Sequence, residues 1–328
     1  MLLNPADLAP YAKGVLGWQI GGNGGLIPQR FCAAQREVYR PYGDRTVRTQ
    51  GASGVRFVFD TDATAFSMRA KVFPGSGQPW FGFDLVVDGQ LWGHTEGDVR
   101  QQTAVDWQES LRPGRKQLCV YLSCLTGVEV LEVTLEGATV CQPVEYRERI
   151  LVMGDSITQG YTSHFPSLTY VAQVAAARNA DFLNQAIGGE VFFPDILTPL
   201  DWQPTMALIA YGTNDWATKL PEQTIADAKA FLAKFCAMYP GLPTAVIAPI
   251  WRANHLTRRK DDFSHEGMYE VLLELAKPYP QLRVIPGYPL FPKIRELMAD
   301  ANIHPNEIGY TIYANRLNAA LLQYDWQE

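Results

Sequence analysis

The sequence lacks the features that mark membrane proteins, nucleic-acid binders and disulfide-rich domains. No stretch approaches the roughly eighteen consecutive apolar residues of a membrane span. With 28 Lys and Arg against 34 Asp and Glu the net charge is -6, whereas nucleic acids and anionic membranes select for clustered basic residues, so neither is an expected partner. The 5 cysteines are an odd number without metal-ligand spacing, which favours ordinary buried thiols. The first residues lack the basic start and apolar core of a secretory signal, so a cytoplasmic protein is expected.

The length and composition instead indicate a folded chain with more than one core. At 328 residues the chain exceeds the usual size of one domain, and 47% hydrophobic against 19% charged residues is enough to bury substantial cores. The pattern of apolar residues changes after Pro143, and no long linker separates the two parts. The predicted division is an N-terminal domain over residues 1–146 and a second domain over 147–328.

The first part of the chain has the pattern of an antiparallel β-sandwich of jelly-roll type. Short alternating runs bounded by turn residues follow one another without a helical pattern between them. Asp88-Gly89 is a strong signal for a two-residue hairpin turn, because glycine tolerates the positive φ that such turns require. The first fifty residues are expected to add a strand or two and irregular structure. The predicted strands are 55–60, 65–73, 81–89, 90–97, 116–124 and 128–137.

The second part alternates apolar strands with helical segments, which predicts a parallel sheet covered by helices on both faces. Within one helical segment Ile225, Ala228 and Leu232 recur at helical spacing and form a buried face. The predicted strands are 149–155, 180–188, 205–212, 243–250 and 281–288, and the predicted helices are 168–179, 222–239, 265–279, 292–299 and 306–323.

Polar and glycine residues follow three of these strands directly. Gly154-Asp155-Ser156 ends the first, Gly188-Gly189 the second and Gly212-Thr213-Asn214-Asp215 the third, and His304 stands just before the last helix. Ligands bind beyond the carboxyl ends of parallel strands, so these clusters are expected to converge on one edge of the sheet.

These four clusters resemble the four sequence blocks of the SGNH, or GDSL, hydrolase superfamily, which centre on Ser, Gly, Asn and His in that order. GDSITQG (154–160) matches the first block, NQAIGG (184–189) the second, GTND (212–215) the third and HPNEIGY (304–310) the last. The resemblance implies a flavodoxin-like α/β/α domain with a five-stranded parallel sheet. More weakly, the order of a sandwich followed by this domain resembles carbohydrate esterase family 2 and certain acyltransferases.

The resemblance implies a serine nucleophile at Ser156 with His304 as its general base. A serine hydroxyl is a weak nucleophile at neutral pH, and imidazole titrates near that range. The oxyanion donors would be the amides of Ser156 and Gly189 and the side chain of Asn214, while Asp155 would organise the loop behind the serine. Neither a metal nor another cofactor is implied.

Each of these residues also has an ordinary structural interpretation. Ser156 alone is more often a helix N-cap, Asn214 and Asp215 alone are turn residues, and His304 before Pro305 can simply precede a helix. The four blocks taken together favour the catalytic interpretation.

The third member of a catalytic triad departs from the family pattern. The family usually places Asp three residues before the His, where this chain has Ala301, while Asp300 lies one residue earlier. The sequence leaves three alternatives open: Asp300 fills the role in an adjusted loop, a backbone carbonyl orients His304, or the site is inactivated. It also leaves open an engineered replacement of Asp by Ala301.

The expected substrate is a small acyl ester, such as an acetylated sugar. Trp216, Trp251 and Phe192 are candidate substrate walls, and each is as easily a core residue. The main hypothesis is a serine esterase. The alternatives are an acyltransferase with the same Ser156 and His304, and a non-catalytic glycan-binding protein with a degenerate site.

Overall fold

The N-terminal part of the chain forms two antiparallel sheets that pack face to face. A computed structural model describes residues 1–256 and 263–323. One sheet has the order β3-β4-β11-β6-β9 with β1 beside β11, and the other has the order β12-β5-β10-β7-β8 with β2 beside β5. The strands are β1 (Leu2–Leu3), β2 (Ala12–Lys13), β3 (Gly17–Ile20), β4 (Leu26–Gln29), β5 (Arg56–Thr61), β6 (Ala65–Pro74), β7 (Trp80–Val87), β8 (Gln90–Asp98), β9 (Ala104–Ser110), β10 (Lys116–Tyr121), β11 (Thr126–Glu136) and β12 (Cys141–Pro143).

The predicted hairpin turn lies between β7 and β8. Val87 pairs with Gln90 across the turn, and Asp88 and Gly89 have φ of 47° and 81°. Both central residues are therefore left-handed, as a two-residue turn between twisted strands requires. The alternating inward residues of the two sheets, such as Phe59 and Val120, form a closed core between them. The predicted sandwich is confirmed.

The C-terminal part forms a parallel sheet with the order β14-β13-β15-β16-β17, which is the flavodoxin-like order 2-1-3-4-5. Helices α4 and α8 pack on one face of the sheet, and α6 and α7 pack on the other. The predicted three-layer α/β/α fold is thus confirmed. The strands are β13 (Glu148–Gly154), β14 (Ala180–Asn184), β15 (Met206–Ala210), β16 (Thr244–Ile247) and β17 (Leu282–Ile285), and the helices are α3 (Ser156–Gln159), α4 (Tyr170–Ala177), α5 (Thr213–Thr218), α6 (Pro221–Met238), α7 (Met268–Ala276) and α8 (Glu307–Leu322).

The strands of this sheet are buried on both faces, which explains their unbroken apolar sequences. In β13, Ile150 and Val152 pack under α4 and α8, whereas Leu151 and Met153 pack under α6 and α7. Successive side chains point to opposite faces of a strand, so a central strand covered on both sides needs an apolar residue at every position.

The first fifty residues differ from expectation. Besides the four short strands they contain two helices, α1 (Ala33–Tyr39) and α2 (Gly43–Arg48). Phe31 and Tyr39 belong to the same apolar cluster as α6 and α7, so this helical segment packs on the α/β domain and not within the sandwich. The division at 146/147 stays a prediction, because part of the N-terminal region is built into the second domain.

Two further differences concern single elements. Strand β9 was not predicted, because its outward residues interrupt the apolar pattern. The helix predicted over 292–299 is reduced to one 3-10 turn at Arg295–Leu297, since Pro292 and the Asp300 loop confine it. No helix within residues 1–256 and 263–323 has the length and apolar character needed to cross a membrane.

Candidate active site

Ser156 lies where β13 ends and a single helical turn begins. Asp155 caps this turn, its carboxylate accepting a hydrogen bond from the amide of Ile157 at 2.9 Å, and Gly160, with φ of 89°, ends it. Ser156 is therefore the first helical residue, 7% exposed, with its hydroxyl directed beyond the carboxyl edge of the sheet. The N-cap is Asp155 and not Ser156, which leaves the serine hydroxyl for another partner.

That partner is His304. The Ser156 Oγ lies 2.8 Å from the His304 Nε2. On the other side of the ring, His304 Nδ1 lies 2.7 Å from Asp300 Oδ2, so Asp300 is the residue that the His304 ring contacts away from the serine. Ser156, His304 and Asp300 form a continuous hydrogen-bonded array, in which each group is placed to orient the next.

The loop accommodates the unusual spacing through Ala301. Ala301 has φ of 56°, a left-handed conformation, and in the loop that it bends the preceding Asp300 contacts Nδ1 of the histidine ring. The Oδ1 of Asp300 accepts backbone N–H groups of Asn302, Ile303 and His304 at 2.9, 2.7 and 3.1 Å. A non-glycine residue in this region is uncommon, and here it accompanies the placement of a site residue.

The environment of Asp300 stabilises its charged form. Partial burial alone would raise the pKa of this carboxyl, but the hydrogen bonds from the His304 ring and from the amides of Ile303 and His304 hold the pKa well below its usual range. Asp300 is thus ionised throughout the neutral range and can fix the imidazole tautomer that has its proton on Nδ1.

Backbone donors face the same point. Among the described residues, the amides of Ser156 and Gly189 donate to no other protein group. The Gly188 amide donates to Gln159 Oε1 at 2.7 Å, and the Gly188 carbonyl accepts from Arg48 Nη1 at 2.5 Å. Both peptide groups of this turn are fixed, so the adjacent Gly189 is held with φ of 75° in the wall of the cleft.

Glycine is favoured at position 189 by the conformation of the backbone. Its positive φ is strained for other residues, and a Cβ there would also displace the end of the Arg48 side chain, whose Nη1 would lie 2.8 Å away. The absence of a side chain lets both a substrate carbonyl and the arginine approach the turn.

Asn214 supplies a side-chain donor from the start of α5. One of its amide hydrogens goes to the carbonyl of Glu190 at 2.9 Å, which leaves the second for a ligand in the cleft. Glu190 is fixed in turn by the Tyr39 hydroxyl at 2.5 Å and by Arg45 at 3.2 Å. Burial raises the pKa of Glu190, opposed by the charge of Arg45.

Two further aspartates support the site without facing the cleft. Burial raises the pKa of Asp155 to about 7, and its contact with the Ile157 amide agrees with the predicted structural role. Asp215 accepts the amide of Phe192 at 3.2 Å and the ammonium of Lys219 at 2.9 Å, which joins the third sequence block to the segment that follows the second.

The site opens into a cleft of about 220 Å³. Its lining residues are Arg48, Ser156, Tyr161, Gly188, Gly189, Asn214, Ile303 and His304. Four sequence blocks thus meet at one point. The amino acids that sequence reasoning missed are Arg48 and Ile303, and no motif in the sequence marks either.

The three aromatic residues expected as substrate walls lie elsewhere. Phe192 is 1% exposed in the core beneath α6, and Trp216 is 1% exposed with its indole N–H donating to the Phe263 carbonyl at 2.9 Å. Trp251 is 7% exposed in the core beneath α8. The expectation was wrong for all three, because large aromatic side chains near a sheet edge gain more from core burial than from lining a small open cleft.

The groups that meet at this site are side chains and backbone amides. Within residues 1–256 and 263–323, no group of three or more His, Cys, Asp or Glu is arranged to hold a metal ion. A hydroxyl, an imidazole, a carboxylate and three convergent N–H donors are the parts of a serine hydrolase of the acyl-transfer type.

The comparison with protein families agrees with this class. Residues 152–312 match the family model described as the GDSL-like lipase/acylhydrolase family. The α/β part of the chain belongs to this family of carboxylic ester hydrolases, and with it to the SGNH superfamily. No curated protein sequence matches the chain.

Solved structures share the whole two-part fold. The salicylyl-acyltransferase SsfX3 from a tetracycline biosynthetic pathway has a TM-score of 0.83 and 22% identity, over 98% of this chain and 97% of its own. A family two carbohydrate esterase from Cellvibrio japonicus has a TM-score of 0.68 and 16% identity, over 100% and 99%. An acetyl xylan esterase from the rumen bacterium Butyrivibrio proteoclasticus has a TM-score of 0.66 and 13% identity, over 100% and 99%. At these identities the likeness establishes the fold.

Proposed function

We propose that this chain is a serine esterase that hydrolyses small acyl esters, such as those of acetylated carbohydrates, through a covalent acyl-Ser156 intermediate. The single observation that carries the proposal is the array in which His304 lies 2.8 Å from the Ser156 hydroxyl and 2.7 Å from Asp300. Membership of a family of ester hydrolases supports the same reaction.

In the first half of the reaction, Ser156 Oγ attacks the ester carbonyl carbon as its proton passes to His304 Nε2. The carbonyl oxygen becomes an oxyanion that the N–H groups of Ser156, Gly189 and Asn214 bind, and one such donor contributes about 3 kcal/mol in comparable enzymes. Collapse of the intermediate breaks the C–O bond, and His304 returns the proton to the leaving alkoxide.

In the second half, water attacks the acyl-enzyme while His304 accepts one of its protons. A second oxyanion forms and collapses, the acid leaves, and Ser156 recovers its proton from His304. Asp300 stays ionised throughout, holding the Nδ1–H tautomer and stabilising the imidazolium that forms twice in the cycle.

Hydrolysis of p-nitrophenyl acetate by the wild-type chain and by Ser156→Ala tests the proposal. The wild type should show saturable turnover that Ser156→Ala lacks by a factor of roughly 10⁴ or more. Ser163→Ala is a matched control, since among the described residues the Ser163 hydroxyl bonds only to the Phe165 carbonyl, at 2.8 Å. Equal rates for the wild type and Ser156→Ala would overturn the assignment.

An acyltransferase is the second candidate. The specific observation in its favour is the likeness to a salicylyl-acyltransferase over 98% of the chain, including the sandwich. The same acyl-Ser156 would then pass its acyl group to an alcohol or amine. Product analysis with an added acceptor distinguishes the two, because a transferase would form acylated acceptor well beyond its share of the nucleophiles present. The contact between His304 and Asp300 favours either activity over a glycan-binding protein with a degenerate site.

A further inference from the structure

Arg48 comes from the N-terminal part of the chain and ends in the cleft of the α/β domain. It is the last residue of α2, and its side chain is 26% exposed. Its Nη1 donates to the Gly188 carbonyl at 2.5 Å and lies 2.8 Å from the place that a Cβ on Gly189 would occupy. The guanidinium therefore lies in the cleft against the carbonyl side of the peptide group whose N–H belongs to Gly189.

A hydrogen bond from the buried Arg30 side chain holds the backbone of Arg48 in place. The buried guanidinium of Arg30 donates to the Arg48 carbonyl at 3.4 Å and to the Ala186 carbonyl at 3.2 Å. Because Arg30 joins the end of α2 to the loop that carries Gly188 and Gly189, the position of Arg48 relative to the oxyanion donors is set by buried contacts.

Within the protein, the ion pair that Arg48 makes with Asp44 is weak. Its Nη2 lies 3.3 Å from Asp44, whose side chain is 87% exposed. Exposed pairs one helical turn apart contribute little, so a carboxylate inside the cleft can displace Asp44. Guanidinium groups bind carboxylates in a two-pronged geometry, and Arg48 has donors left for one.

The other described residues of the cleft wall add no carboxylate and no second guanidinium. Among the lining residues within 1–256 and 263–323, Arg48 is the one whose side chain is always cationic, and none is Asp or Glu. The volume of about 220 Å³ is below the range of 300–1,000 Å³ typical of drug-sized ligands. The cleft is suited to a short acyl group with a negative charge.

We propose that Arg48 is a specificity-determining residue that binds a carboxylate on the acyl group, so that the preferred substrates are half-esters of short dicarboxylic acids. This inference rests on the proposed function. The acyl side is assigned because Arg48 contacts the Gly188-Gly189 turn, whereas the leaving alkoxide must lie against His304, which protonates it.

A purely structural role predicts a different result. If Arg48 only holds the Gly188 carbonyl, its loss weakens the oxyanion site and slows every ester by the same factor. If it binds the substrate carboxylate, its loss slows charged esters far more than neutral ones. The ratio of the two kcat/KM values therefore separates the roles.

The test compares monoethyl succinate with ethyl butyrate, which share a leaving group, by the release of ethanol. The wild type should prefer monoethyl succinate by about tenfold or more in kcat/KM, mostly through KM, as expected for a charge-assisted pair. Arg48→Gln should bring this ratio close to one, and Arg48→Lys should keep part of it. Arg40→Gln removes the same charge from an exposed pair with Glu37 and should keep the wild-type ratio.

Three results would overturn the inference: equal kcat/KM for monoethyl succinate and ethyl butyrate in a wild type that hydrolyses both, an equal loss of both activities in Arg48→Gln, or a preference for carboxymethyl acetate over ethyl acetate that depends on Arg48. Calorimetry with Ser156→Ala tests binding apart from turnover. If monoethyl succinate binds more tightly than ethyl butyrate and Arg48→Gln abolishes the difference, the inference is supported even when the wild type shows no turnover. Turnover of both esters at equal efficiency supports the proposed function alone.

Discussion

At the scale of single residues, the unusual feature is an aspartate that lies four positions before its histidine. Asp300 uses one oxygen to organise its own loop through three amides and the other to contact His304. Because one carboxylate makes both sets of hydrogen bonds, a change that disturbs the loop also disturbs the contact with His304. We therefore expect a conservative substitution of Asp300 to have a large effect on activity.

Asp300→Asn should lower kcat for p-nitrophenyl acetate by about 10³-fold or more. The asparagine oxygen can still accept the hydrogen bonds of the three loop amides. Its NH2 group then faces His304 Nδ1. The ring must then carry its proton on Nε2, where it can no longer accept from Ser156.

Steady-state kinetics and the melting temperature check this prediction together. Asp300→Asn/Ala301→Asp is the informative partner variant, because residue 301 is exposed and left-handed, so we expect a carboxylate there not to replace that of Asp300. A rate for the double variant close to that of the wild type, or a loss below tenfold for the single variant, would contradict the account.

Ala301→Gly should raise the free energy of unfolding by about 0.5 kcal/mol. Alanine pays for its φ of 56°, and glycine avoids that cost while adding some freedom to the unfolded chain. Urea unfolding measures the difference. Ala299→Gly, two residues away and also exposed, should instead lower stability; the same sign for both variants would show that φ does not govern the effect.

At the scale of elements, the segment from Arg30 through α1 and α2 is a support for the loop after β14. Arg30 donates to carbonyls of Gly51, Asn184 and Ala186, and Gln35 exchanges hydrogen bonds with Gln185 at 2.9 Å. Burial lowers the pKa of Arg30 to about 10, which still leaves it charged at neutral pH.

Arg30→Gln should lower the free energy of unfolding by about 2–4 kcal/mol, because several buried carbonyls lose their donors. It should also lower kcat, since the Gly188-Gly189 turn follows this loop. Denaturant unfolding and kinetics measure the two effects. Arg36→Gln removes a single bond to the Phe31 carbonyl and should cost less than about 1 kcal/mol; similar losses in both variants would contradict the role given to Arg30.

At the scale of the whole molecule, a polar cluster joins the sandwich to the α/β domain. His94 on β8 donates to the buried Asp84 at 2.7 Å, and His164 contacts Glu96 at 2.7 Å. Asp84 also accepts the Ser167 amide at 2.8 Å from the other domain. Partial burial alone would lower the pKa of His94, but Asp84 and then Glu96 raise it above its ordinary value.

His94→Gln should therefore remove stability that depends on pH. A raised pKa in the folded state stabilises the fold below about pH 6.5, and the contribution is lost as the pH rises through the folded-state pKa. The difference in melting temperature between the wild type and His94→Gln should be largest near pH 6 and smallest near pH 9. His255→Gln, whose ring bonds a backbone carbonyl, is the control; a difference that grows with pH would contradict the assignment.

Much of the fold was open to prediction from local patterns. The two-residue turn at Asp88-Gly89, the alternating strands of the sandwich and the apolar strands of the parallel sheet depend on neighbouring residues and on burial, which leave a periodic trace. The helices α1 and α2 left no such trace, because their short apolar faces are completed by residues more than a hundred positions away.

The sequence by itself determined which residue types follow the strands of a flavodoxin-like sheet, and parallel strands bring such residues to one edge whatever the loops do. Only the tertiary structure decided that Asp300 contacts His304 through a left-handed Ala301, that Arg48 enters the cleft, and that Phe192, Trp216 and Trp251 are core residues. The reason is physical: backbone φ values, side-chain burial and contacts between distant segments depend on packing across the whole molecule, which no local spacing encodes.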